Sequence, residues 1–413
     1  MLQIFIPKTD MRSIYVYKHI PRMLLTKAVA PLWPEFVWTP LSAARVDSFA
    51  DTALPGPHWV RVQNLACGIC ATDLSLLYMK TNPSVAPAAL PGVTRFDLGH
   101  ESVGAVTEVG SSVTRFRVGD RVIMENHFYG ANCWNLEIDE PCEKCREGAA
   151  NLCFNKSDFK YRGTGGGWGD SYVAHETGIY PCPQDLTLDQ AVLVEPLGIS
   201  THAVLRHPPK TGSKVLVIGM GFIGLGVLMA VKAIHPECEV TVLSRYDFQS
   251  QMAEKLGAKN ILTEKDGYQG IARAAGGKFY SAPLNKGAIV GGFDIVYDCI
   301  GQANTLNDAL RWVKAGGKVV MVGTVLSPMK KLDLVTLWYS QLELVGVVAH
   351  GHENYNHQEK HTYDWVTEFM QNGTFPIDGL ITHRFLYEDY KQAIALASGR
   401  KGGPKAIKVI MQA

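Results

Sequence analysis

The sequence predicts an α/β protein of two parts, a β-rich domain followed by a doubly wound parallel sheet with helices on both faces. Three observations predict it. From about residue 14 to 180 the apolar residues fall in short β-like runs, such as 59–63 and 103–109, broken by Gly and Pro. From about residue 214 apolar strands alternate with helical stretches, the pattern of a parallel sheet covered on both sides. A glycine-rich turn joins the first of those strands to the first helix.

In the β-rich part, turn signals at Pro55-Gly56-Pro57 and Gly119-Asp120 separate the runs. In the second part, residues 214–218 read as a strand and a helix runs from Ile223. Residues 240–243 and 249–256 repeat the strand and helix, and 293–297, 318–322 and 342–348 read as later strands. After His350 the chain turns polar, with helices expected around 363–370 and 387–397. The glycine-rich loop around Trp168 reads as an approach to a strand, not a phosphate cradle.

The bulk numbers limit the function classes. With 413 residues, 46% hydrophobic and 19% charged, the chain has material for two or three globular domains. A formal net charge of +1 gives no sign of a nucleic-acid or membrane surface. No apolar run approaches the roughly 20 residues of a membrane helix. The start lacks a signal-peptide layout, so a cytoplasmic location is the expectation.

Six of the nine cysteines lie between Cys67 and Cys153, which reads as metal binding before disulfides. Cys142, Cys145 and Cys153 form a tight group, with Cys133 nine residues before Cys142. Four thiolates make a closed, structural zinc site. A zinc ribbon on nucleic acid is the competing reading, and the neighbouring residues are neither basic nor aromatic enough for it.

The turn Gly219-Met220-Gly221-Phe222-Ile223-Gly224 follows an apolar strand and opens a helix. In that context Gly219 permits the turn, Gly221 lets the backbone approach a pyrophosphate, and Gly224 lets helix and strand pack. The free amides at the helix start, at Phe222 and Ile223, face the anion. The second strand ends in Ser244-Arg245, where an NAD site usually carries an acidic residue. A hydroxyl and a guanidinium suit a 2′-phosphate and favour NADP. NAD with Asp247 reaching back is the alternative.

Taken in order, several motifs resemble those of the zinc-dependent medium-chain dehydrogenases acting on alcohols, polyols and sugars. They are Cys70-Ala71-Thr72-Asp73, Gly99-His100-Glu101, Gly119-Asp120-Arg121-Val122, the cysteine lobe, Glu195-Pro196, the glycine turn and Gly316-Gly317-Lys318-Val319. The resemblance implies a GroES-like β-barrel catalytic domain, residues 1–197 and 351–413, with a Rossmann domain, 198–350, inserted in it.

It further implies a catalytic zinc on Cys70, His100 and Glu195, and not on Cys67. Asp73 would orient His100, and Glu101 would be the neighbouring carboxylate that can approach or replace a ligand. Three protein ligands leave zinc an open position for the substrate oxygen. Thr72 resembles the hydroxyl that takes the alcohol proton, and the carbon then passes hydride to the nicotinamide. A small alcohol, polyol or sugar is the implied substrate, and a homodimer or homotetramer the implied assembly. A non-catalytic NADP-binding member of the same fold is the alternative.

Three departures stand out. Relatives place the first lobe ligand three residues before the second; here that position is Asp139, so Cys133 through a longer loop is the expected ligand, with Asp139 or loss of the metal as the alternatives. Ser75 stands where many relatives have a proton-passing histidine. The first fifty residues match only loosely. Asn126 and Glu195 both lean towards a polyhydroxylated substrate.

Overall fold

The computed structural model describes residues 10–50, 53–82, 94–125, 132–155, 164–284, 286–399 and 406–413, so Asn126 lies outside the described residues. Contacts divide the chain into two units, Met1–Glu195 with Ile381–Ala413, and Pro196–Leu380.

The first unit is built on a seven-stranded sheet. Trp59–Gly68 is its hub, paired antiparallel with Ser102–Val109, Ser171–His175 and the C-terminal Lys408–Gln412. Arg121–Met124 and Ile179–Pro181 extend one side, and Ile381–Leu386 the other. The hub strand is buried along most of its length because it is covered on both faces. The loosely matching first fifty residues add a second, three-stranded sheet, with Asp10–Tyr17 between Ala44–Ala50 and Arg95–Asp97. They also form a helix, Ile20–Val29, that the reading of this region as β-rich missed.

One apolar cluster joins this added segment to the rest of the unit. Ile14, Val16 and Met23 pack with Leu74, Leu77 and Val409. Burying side chains of this size contributes roughly 1.5–3 kcal/mol each. That packing fixes the helix Ala71–Leu77, on which three candidate site residues depend.

The second unit carries a parallel six-stranded sheet in the order Asn260–Leu262, Glu239–Leu243, Lys214–Ile218, Phe293–Asp298, Val313–Met321, Glu343–Gly346. The order runs outward in both directions from the first strand, which is the doubly wound pattern. The reversal point lies between Lys214–Ile218 and Phe293–Asp298, beside the glycine turn.

The expected boundaries need one correction. The first crossing falls at Glu195/Pro196, close to expectation, but the return comes at Leu380/Ile381 and not at 350/351. Residues 351–380 stay with the nucleotide-binding unit as a hairpin, His352–Tyr355 with Gln358–His361, and the helix Thr362–Gln371. Tyr363 on that helix packs so closely on Gly198 that a Cβ there would meet its ring at 2.8 Å. Helical periodicity identifies such a helix without saying which sheet it covers. Among the described residues no helix is long and apolar enough to cross a membrane.

Candidate active site

Cys70 sits at the N-terminal cap of the helix Ala71–Leu77, and Thr72 and Asp73 follow in its first turn. Asp73 is buried, and its Oδ1 accepts the Gly99 amide at 3.2 Å while Oδ2 lies 3.0 Å from His100 Nδ1. Gly99 is required where it stands. Its φ is +89°, and a Cβ there would meet Trp168 at 2.4 Å. Asp73 therefore holds both the turn and the imidazole that follows it. Burial opposes a proton on His100, but Asp73 and then Cys70 outweigh it and push the imidazole pKa well up.

Glu101 lies on the next residue, fully buried against the hub strand. A Cβ on Gly68 would meet Glu101 Oε2 at 2.0 Å, so glycine makes the room for this carboxylate. Ligand atoms of Cys70, His100 and Glu101 all lie within 4.8 Å of one another. Glu195 is not of that set. It is buried near the end of the first unit, on the helix Leu188–Arg206, and its charge acts on both Lys408 and Cys67.

Lys408 is the residue that sequence reasoning missed. Its Nζ donates to both Glu101 oxygens, at 2.6 and 2.7 Å. Burial opposes its charge, but Glu101 first and Cys70 next raise its pKa and keep it an ammonium. A signal was present: a single lysine interrupts the apolar run 406–411. Cys67, by contrast, stays a thiol. Burial pushes its pKa well up, and its Sγ donates to the Gly68 carbonyl. That is the behaviour of a core residue and not of a metal ligand.

In the cysteine lobe, sulfurs of Cys133, Cys142, Cys145 and Cys153 lie within 4.8 Å of one another. Cys133 and Cys153 are 3.6 Å apart, and Cys142 and Cys153 3.9 Å. A tetrahedral zinc with Zn–S bonds of about 2.3 Å places its sulfurs about 3.8 Å apart. The amides of Cys142 and Asn155 donate to Cys133 Sγ and Cys153 Sγ, each at 3.2 Å. Against burial, the Phe154 and Cys145 amides hold the Cys142 thiol down to about 6. Asp139 is exposed and outside the cluster. The donor set therefore fits a closed zinc site with Cys133 as its fourth sulfur.

The second unit holds a pocket of about 540 Å³, lined among others by Gly219, Gly221, Ser244 and Arg245. Gly219 has φ +92°, and a Cβ on Gly224 would meet the Gly219 carbonyl at 1.8 Å. Gly221 caps the helix Phe222–Ile234 and has open space where a Cβ would stand. Turn, packing and open space thus fall to Gly219, Gly224 and Gly221. Phe222 and Ile223 open the helix. Ser244 is buried, and the Arg245 guanidinium lies exposed over the Tyr246 ring. This cradle fits a dinucleotide.

A thiolate–imidazole–carboxylate cluster in one unit and a glycine-turn nucleotide pocket in the other define a metal- and nucleotide-dependent dehydrogenase. Comparison with known proteins agrees. Residues 56–184 match the alcohol dehydrogenase GroES-like domain and 223–369 the zinc-binding dehydrogenase domain. The chain is 32% identical to (R,R)-butanediol dehydrogenase of Saccharomyces cerevisiae over 65% of its own length and 71% of that protein. It is 29% identical to L-idonate 5-dehydrogenase of Vitis vinifera, over 86% and 88%. A Sinorhizobium meliloti structure bound to NADP, described as a zinc-binding dehydrogenase, shares the fold at a TM-score of 0.70 and 23% identity, covering 98% of this chain and all of that one. The chain belongs to the zinc-dependent medium-chain dehydrogenase family. It is an oxidoreductase acting on hydroxyl or carbonyl substrates.

Proposed function

We propose that this protein interconverts a secondary hydroxyl of a polyol or sugar-derived substrate with the matching carbonyl, using NADP. The observation that carries the reading is the cluster of Cys70, His100 and Glu101 with an Asp73 oxygen 3.0 Å from the imidazole. With Nδ1 facing Asp73, we assign Nε2 as the His100 nitrogen for a metal. We assign Cys70, His100 and Glu195 as the zinc ligands, with Glu101 held in reserve by Lys408. The bound ion supplies Lewis acidity at the reacting oxygen, and the nicotinamide supplies or takes the hydride.

The residues do the rest. Thr72, half-buried beside Asp73, accepts the substrate proton at its hydroxyl. Asp73 fixes the imidazole, and burial of the cluster excludes bulk water. The polyol reading draws on Glu195 at the metal and on the named activities of the relatives, butanediol and idonate oxidation. NADP over NAD draws on Ser244 and Arg245.

The test is a substrate panel of alcohols, diols, polyols and sugar acids, with zinc quantified in the same preparation. About two zinc ions per chain and NADP-dependent turnover of a vicinal diol or polyol are expected. One ion per chain with no turnover across the panel would favour a non-catalytic NADP-binding member of the fold.

We further propose that the second unit offers a surface for a second copy of the chain. Glu343–Gly346 is the edge strand of the parallel sheet, and near it in sequence Val335, Trp338 and Tyr339 are 67%, 78% and 79% exposed. An edge strand preceded by exposed aromatics fits pairing with an identical edge across a two-fold axis. Light scattering should give a dimer or tetramer for the natural protein and a smaller species for Trp338→Glu. A natural protein that is monomeric at micromolar concentration sinks this arrangement.

A further inference from the structure

The nucleotide pocket does not end at Ser244 and Arg245. The chain between the helix Gly267–Ala275 and the strand Phe293–Asp298 folds as a hairpin, Lys278–Tyr280 against Ala288–Val290. Its connection brings Lys286 to the pocket wall, where Tyr268, Asp308 and Trp312 also stand. Lys286 Nζ donates to both Asp308 oxygens, at 2.8 and 2.9 Å, and the Tyr268 hydroxyl donates to Asp308 Oδ1 at 2.7 Å. Tyr268 in turn meets Trp312 edge-on, with ring centroids 5.5 Å apart. This part of the pocket thus combines aromatic walls with one acceptor set beside one donor.

We propose that Asp308 and Lys286 read the adenine base of the cofactor, Asp308 accepting from the exocyclic N6 amine and Lys286 donating to N7. The inference rests on the reading of this pocket as the NADP site. The inventory of donors and acceptors supports it. A carboxylate offers about four acceptor positions, and three are filled by Tyr268 and Lys286. An ammonium carries three hydrogens, and Asp308 takes two. One acceptor and one donor remain, side by side. The N6/N7 edge of adenine presents a donor beside an acceptor, the complementary pattern. In hypoxanthine a carbonyl replaces the amine, so two acceptors meet the pair and Asp308 faces a lone pair.

The hairpin is then a specificity element. It places a cation that also neutralises Asp308, so that a carboxylate can sit beside an anionic cofactor. Tyr268 aims the carboxylate by its hydroxyl bond.

The experiment is equilibrium binding of NADP and of nicotinamide hypoxanthine dinucleotide phosphate to the full-length protein. The natural protein should prefer NADP by about tenfold or more, because the analogue sets a carbonyl lone pair against the Asp308 carboxylate where NADP offers an amine hydrogen. Asp308→Ala should bring the two affinities within about twofold of each other. Lys286→Met should weaken both ligands alike, because both carry N7. If the natural protein binds NADP but binds both dinucleotides equally, the base-reading role is wrong. If it binds neither, the NADP reading of the pocket fails, and this inference fails with it. The comparison of two ligands on the natural protein needs no variant to fold.

Discussion

Lys408 and Glu101 form a buried ion pair at the centre of the candidate metal site, joined through both carboxylate oxygens at 2.6 and 2.7 Å. The strand Lys408–Gln412 pairs with the hub strand at Gly68, so the last residues of the chain complete a cluster begun near residue 67. The pair sets how far Glu101 is available to a metal. A carboxylate already satisfied by an ammonium stays where it is; one stripped of that partner is a buried charge in search of a cation.

Lys408→Met should therefore have two effects. It should destabilise the protein by about 3–5 kcal/mol, the usual cost of removing one member of a buried pair. It should also let Glu101 enter the coordination sphere, changing the visible spectrum of cobalt-substituted protein. Lys408→Arg should keep most of the stability. An unfolding midpoint and a cobalt spectrum both unchanged in Lys408→Met would show that the pair does not govern Glu101.

The cysteine lobe makes a separate prediction. Cys133, and not exposed Asp139, shares the sulfur cluster. Cys133→Ser should lose close to one zinc ion per chain and raise protease sensitivity in the lobe. Asp139→Asn should leave metal content unchanged. Zinc loss in Asp139→Asn with retention in Cys133→Ser would reverse the assignment.

How much of this was legible in the sequence follows from how local each feature is. The glycine turn is six consecutive residues whose roles depend on their own backbone, so its reading carries through to Gly219, Gly221 and Gly224. The lobe cysteines are within about twenty residues of one another, and their spacing alone suggested a cluster. The second cluster is different. Cys70, His100 and Glu101 meet only because strands Trp59–Gly68 and Ser102–Val109 pair, and no spacing rule predicts that register. Their grouping came from the resemblance, and so did Glu195, which the structure leaves outside the close set. Lys408 was not read at all, because its partner is 307 residues away and a lysine opening a strand is ordinarily solvated. The return of the chain at Ile381 was missed for the same reason: amphipathic pattern identifies an element, not the sheet it joins.

The cofactor prediction turns on one guanidinium. Arg245 stands at the end of the strand Glu239–Leu243 and lines the pocket, while Asp247 opens the following helix. A 2′-phosphate paired to Arg245 makes charge-assisted hydrogen bonds that NAD cannot make. Arg245→Ala should weaken NADP by roughly 10- to 100-fold, the scale of losing a hydrogen bond to a charged group, and change NAD little. Asp247→Ala should leave NADP binding near its natural value, because the acidic side chain is not asked to hold a ribose hydroxyl. The opposite pattern, with Asp247→Ala weakening NAD strongly and Arg245→Ala acting equally on both cofactors, would assign the pocket to NAD. Competition titrations of both cofactors against each variant separate the two cases, because the ratio of affinities cancels any general loss of stability.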